Sequence, residues 1–273
     1  MKILIAADME GISGVTTWDQ VTAGHFEYPR FRRLMTEDVN AAVRGAFDAG
    51  AKEVFVTDGH AAGSNILIEE LDQRASLNTG SPSPLSMVQG VDEVDGVIYV
   101  GYHARAGSSE AILDHTWSSK TVANVWLNEM LMGEYGLNAA VAGHFEVPVL
   151  MVTGDQTACA QAVELLGDLE IAVVKHATGR YAAECLPPKV TQGMIQKAAA
   201  QAVARLARGK APAPFMLEEP VSLSVEFNNS AMADHAMRMP GAERDGACIS
   251  LSLPDMLTAY NAFRGIVALA AMA

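Results

Sequence analysis

The sequence predicts a three-layer α/β fold with a mainly parallel sheet, followed by a smaller C-terminal α+β domain. Three observations predict it: short Val/Ile-rich runs that stop at polar or Gly residues, segments of helical period between them, and a change of texture after Cys185-Leu186-Pro187-Pro188. The runs at 3–7, 54–57, 97–101, 149–153 and 171–174 are almost continuously apolar, as strands covered on both faces are. Helical periodicity fills 34–49, closed by Gly50, and 157–166, closed by Gly167, each glycine standing just past a C-terminus. An Ala/Gln-rich helix is predicted over 191–208, and Ala211-Pro212-Ala213-Pro214 cannot continue it. Residues 221–227 alternate apolar and polar at period 2, as a half-exposed strand does. A strand near 249–253 and a helix over 254–270 complete the chain, so the expected domains are 1–190 and 191–273.

Of 273 residues, 50% are hydrophobic and 19% charged, and no stretch reaches the ~18 consecutive apolar residues of a membrane span. Lys and Arg total 19 against 32 Asp and Glu, and the resulting charge of −13 disfavours nucleic acid and anionic lipid as partners. Asp8 and Glu10 interrupt the N-terminal apolar run before it can serve as an export signal, so a cytoplasmic location is expected. Cys159, Cys185 and Cys248 are odd in number and widely spaced, which points to buried free thiols rather than disulfides or a thiolate metal site. HExxH, GxSxG, GxxxxGK[ST] and a GxGxxG after the first strand are all absent.

In open parallel sheets ligands bind beyond the carboxyl ends of the strands. Those ends carry Asp8-Met9-Glu10-Gly11, Asp58-Gly59-His60 and Gly101-Tyr102-His103-Ala104-Arg105, delivering carboxylates and imidazoles to one sheet edge. Such a mixed set suits Zn²⁺ and related divalent ions, and a carboxylate can bridge two of them. Asp8 and Glu10 stand two apart, so an extended backbone would point both the same way, and Gly11 permits a sharp turn or a close approach. Taken singly, each has a plainer role: a strand-end Asp caps helices, and Glu134, near a helix start, complements the helix dipole. His115 lies in a polar loop, where a histidine is by default exposed, though such loops also carry proton-transfer groups and nucleophiles. Asp58 and Arg105 suit a supporting or substrate-carboxylate role as well as an ordinary turn or ion pair. His25, His144, His176 and His235 have no companions at ligand spacing and read as surface or core histidines.

These segments, with Asp114-His115, Gly133-Glu134-Tyr135-Gly136-Leu137-Asn138, the run 147–155 and Ser224-Val225-Glu226-Phe227, resemble the zinc-dependent D-aminopeptidases of peptidase family M55, the DppA type, over nearly the whole chain. The resemblance implies a two-zinc site with Asp8, Glu10, His60, His103 and Glu134 as ligands, Asp8 bridging, and His115 in the catalytic position. It implies aminopeptidase action on short peptides or amides with an N-terminal D-amino acid such as D-Ala, and a homodecamer of two stacked pentamers whose channel admits only small peptides. The interval from His103 to His115 is one residue longer than the family pattern, in a loop that should shape the substrate pocket. Three other readings compete: a dipeptidase of murein-derived L-Ala/D-Glu-type dipeptides, a non-catalytic dipeptide-binding protein, and a two-metal phosphatase or nuclease.

Overall fold

The computed structural model describes all 273 residues. Its larger sheet has seven strands in the order β3-β2-β1-β4-β7-β8-β9: β1 (Lys2–Ala7), β2 (Glu53–Asp58), β3 (Ala75–Asn78), β4 (Gly96–Val100), β7 (Val149–Asp155), β8 (Glu170–Gly179) and β9 (Ala182–Cys185). All pairings are parallel except β8 with β9. The five strands predicted from their apolar runs form the centre of this sheet, with β1 flanked by β2 and β4.

Alternation along the strands explains why both faces are covered. Ile3 and Ile5 point into one core with residues of α2 (Tyr28–Asp48) and α5 (Pro188–Ala207). Leu4 and Ala6 point into the other core, with α3 (Glu134–His144), α7 (Met256–Ala270) and the inner face of a second sheet. Helix α4 (Gln156–Leu166) packs on β7 and β8; Asp155 caps its start by accepting from the Ala158 amide, and Gly167 ends it at φ 82°. Gly50, just past α2, has φ 91°, a conformation that favours glycine.

The second sheet is antiparallel, in the order β11-β12-β10-β5-β6, built from β5 (Val122–Leu127), β6 (Met130–Leu131), β10 (Val221–Phe227), β11 (Glu243–Asp245) and β12 (Cys248–Leu253). Two short helices, α1 (Trp18–Val21) and α6 (Ser230–Ala236), complete the elements used here. Near the expected boundary at residue 190, α5 lies on α2 and β8 of the first sheet, whereas β10 onward joins β5 and β6. The second sheet therefore draws strands from both sides of that position. Of the three cysteines expected to be buried, Cys159 is; Cys248 is partly covered and Cys185 is exposed. No helix is long and apolar enough to cross a membrane.

Candidate active site

Asp8, His60 and His103 follow the carboxyl ends of the adjacent strands β1, β2 and β4, so the parallel register alone brings them to one edge. Glu10 arrives differently from the extended geometry expected of it, because the chain turns after Asp8. The Gly11 amide donates to the Gly101 carbonyl at 2.7 Å, and a Cβ on Gly11 would stand 2.0 Å from the Tyr102 carbonyl oxygen. Only glycine permits that approach, and the turn it makes swings the Glu10 side chain back beside Asp8. Glu134 is the first residue of α3, where an acid also complements the helix dipole.

The three imidazoles share one arrangement. His60 Nε2 donates to the Val21 carbonyl at 2.8 Å, His103 Nδ1 to the Ala104 carbonyl at 3.0 Å, and His115 Nδ1 to the Leu113 carbonyl at 2.8 Å. Each ring thereby turns its other nitrogen inward, because a carbonyl that holds one ring N–H fixes which nitrogen keeps the lone pair. His60 Nδ1 lies 3.3 Å from Asp8 Oδ1 and 3.1 Å from Glu10 Oε2. His103 Nε2 lies 3.4 Å from Asp8 Oδ2 and 3.1 Å from Glu134 Oε1. Asp8 thus faces one imidazole with each of its two oxygens.

These groups are almost wholly buried, and Asp8 Oδ2, Glu10 Oε2 and His103 Nε2 have no hydrogen-bond partner. Buried polar atoms left unpaired are costly, and three of them converging from the segments after β1 and β4 mark a position built for a cation. Asp8, Glu10 and His103 offer ligand atoms within 4.8 Å of one another, as do His103, His115 and Glu134. Electrostatics agree. Burial alone would depress the imidazoles, yet Glu10 and Asp8 raise His60 well above its usual range, and Glu134, Asp8 and Glu10 raise His103 to about 10. Burial would raise Glu10, but His60 and its neighbours hold it down at about 2. Glu10 therefore stays ionised and attracts positive charge to the centre.

His115 contrasts with its neighbours. Its ring stacks on His103 with centroids 4.0 Å apart, and Nε2 lies 3.6 Å from Glu134 Oε1 and 4.0 Å from Glu10 Oε1. Burial, reinforced by positive charge on His103, lowers it to about 4, leaving a neutral ring with a free inward lone pair. The expected exposed loop histidine is instead 8% exposed. Its loop is strapped in place: the Arg180 guanidinium grips the Asp114 carboxylate at 3.0 Å and the Asp114 carbonyl at 2.8 Å, while the Ile112 amide donates to Asp155. Glu110, Leu113 and Trp117 all have positive φ, a concentration of backbone strain around a functional residue. The strain at Trp117 has a visible result, since its amide donates to Glu134 Oε1 at 2.7 Å.

Asp58 supports His60: its carboxylate accepts from the Asn65 and Ile66 amides and from the Asn65 side chain, which in turn donates to the His60 carbonyl. Arg105 does not line the site; its charge lies near Tyr135. The carboxylates and His115 open into a cavity of about 730 Å³, whose walls include Trp18, Met87, Trp117, Lys120 and Arg264. His25, read from sequence as a surface or core histidine, lies on this wall and pairs with Asp19 at 3.1 Å. None of these wall residues stands at a strand end, so the rule that located the acids and imidazoles could not reach them. His144, His176 and His235 are not among the lining residues.

A model of the D-aminopeptidase family, peptidase family M55, matches residues 1–265. The D-aminopeptidase of Bacillus subtilis (strain 168) is 38% identical over 265 residues, covering 96% of this chain and 95% of the relative. In three dimensions the chain is similar to the zinc-dependent D-aminopeptidase DppA from Bacillus subtilis, a self-compartmentalizing protease, with a TM-score of 0.96, 36% identity, and 100% and 99% of the two chains covered. A match running through every strand end that carries an inward acid or imidazole, together with these relatives, means that the chain belongs to peptidase family M55, the D-aminopeptidases, and is a peptide hydrolase.

Proposed function

We propose that the protein is a two-zinc aminopeptidase that removes N-terminal D-amino acids such as D-Ala from short peptides or amides. The division of the Asp8 oxygens between His60 and His103 carries the dinuclear reading. On it, Asp8, Glu10 and His60 would hold one cation, and Asp8, His103 and Glu134 the other. When bound, such a pair polarises the scissile carbonyl and lowers the pKa of water from 15.7 toward ~7. The protein's own part is preorganisation: backbone carbonyls fix three imidazole tautomers, and the surrounding imidazoles hold Glu10 ionised against the cost of its burial.

His115 acts on the substrate. Burial, reinforced by positive charge on His103, keeps its ring neutral, so Nε2 is free to add to the carbonyl carbon or to carry a proton to the departing amine. A second role has an observation of its own, since His115 Nε2 also lies within ligand range of His103 and Glu134. Metal content of a His115→Ala variant separates ligand from catalytic group.

Relatedness to a self-compartmentalizing protease supports assembly into an enclosing homodecamer of two stacked pentamers. The activity is tested with a panel of free dipeptides and amides of each stereochemistry. Hydrolysis of D-Ala-initiated substrates, lost on chelation and restored by Zn²⁺, is expected. Preference for L-Ala/D-Glu dipeptides, for phosphate esters, or full activity without metal contradicts the reading.

A further inference from the structure

Lys175 on β8 is completely buried, far in sequence from the strand-end residues, and takes no part in the chemistry described above. Its ammonium donates to the backbone carbonyls of Glu10 at 2.6 Å, Ile12 at 3.0 Å and Val15 at 2.8 Å. A turn, unlike a helix or strand, leaves its carbonyls without ladder partners, and buried carbonyls need donors. One ammonium with three N–H groups satisfies three at once and gathers them to a single point.

The other side of the same loop is fastened as well. The Ser13 amide and hydroxyl donate to Asp38 Oδ2 on α2, and the Ser13 hydroxyl meets Thr191 on α5. Gly11 is pinned to the end of β4. Glu10 therefore sits on a segment clamped from three sides, and Lys175 is the clamp that touches its own backbone. Neither Glu134 nor the Ala104 and Leu113 carbonyls that orient His103 and His115 depend on Lys175.

We propose that Lys175 is a positioning residue for the Glu10 carboxylate, and that it sets the affinity of one cation position, that of Asp8, Glu10 and His60, independently of the other. The inference rests on the two-cation reading above.

The test is a zinc titration of metal-free wild type and Lys175→Met by calorimetry with chelator competition, repeated with Co²⁺, whose visible absorption reports each site. Wild type is expected to bind two ions. The variant is expected to keep one at unchanged affinity while the dissociation constant of the second rises tenfold or more, as loss of an outer support does. Two ions at wild-type affinity in the variant, or equal weakening of both, overturns the inference. If Lys175→Met does not fold, Lys175→Gln, which retains N–H donors without the charge, is read by the same criterion of selective against equal weakening. A wild-type stoichiometry below two overturns the two-cation reading itself, a result distinct from failure of the Lys175 inference.

Discussion

At His115, two requirements meet in one ring: a fixed tautomer, supplied by the Leu113 carbonyl, and neutrality, supplied by burial beside a positive centre. Replacing it with Ala removes both the nucleophile and the proton carrier. The expected result is a fall in kcat of roughly 10²–10⁴-fold with zinc content unchanged; measured zinc loss would assign it to the ligands. Asp38 offers a residue-scale expectation of another kind. Burial, only partly offset by Ser13 and Lys175, raises its carboxyl from 3.8 to about 6. Because the folded state then holds its proton more tightly than the unfolded state, its contribution is complete below about pH 3.8 and lost as pH rises through about 6. With zinc saturating, the unfolding free energy of wild type relative to Asp38→Asn should decline over that window by on the order of 2 to 3 kcal/mol. A difference that stays flat with pH contradicts this. Asp58→Ala, which strips the acceptor from the loop behind His60, should weaken zinc binding ~10–100-fold in the same titration.

The elements most legible in the sequence were those whose burial writes a pattern. Strands β1, β2, β4 and β7 are covered on both faces and read as continuous apolar runs, and the site acids and imidazoles at their ends followed from parallel topology. Strand β5 is not legible in the sequence because Val122-Ala123-Asn124-Val125-Trp126-Leu127 mixes buried and half-buried positions, and its partner β10 lies far along the chain. The clamps of the site were illegible for a related reason. Lys175 reaches Glu10, Arg180 reaches Asp114 and Thr191 reaches Ser13 only after the chain has folded, and no local spacing announces such pairs. Gly11 did carry a local signal, and its consequence is steric. In Gly11→Ala, the new methyl would collide with the Tyr102 carbonyl oxygen and the Gly101 backbone, so the turn after β1 must move. Chemical denaturation should report a loss of about 3 kcal/mol or more, with zinc affinity falling in parallel; wild-type stability would mean the turn yields freely.

Across the whole molecule, two cores on the faces of one sheet hold the strand ends rigid, and the second sheet closes one side, drawing strands from before and after residue 190. Several large apolar side chains stay outside both cores, among them Phe26 at 94% exposed, Met216 at 63% and Tyr181 at 54%. Their exposure fits subunit contacts, and light scattering of the purified protein is expected to give ten times the mass of one chain; a monomer at working concentration contradicts the assembly. Anomalous diffraction from a zinc-loaded crystal tests the two-cation site most directly. Two peaks are expected, one held by Asp8, Glu10 and His60 and the other by Asp8, His103 and Glu134, with Asp8 shared. A single peak, or none beside these side chains, would contradict it.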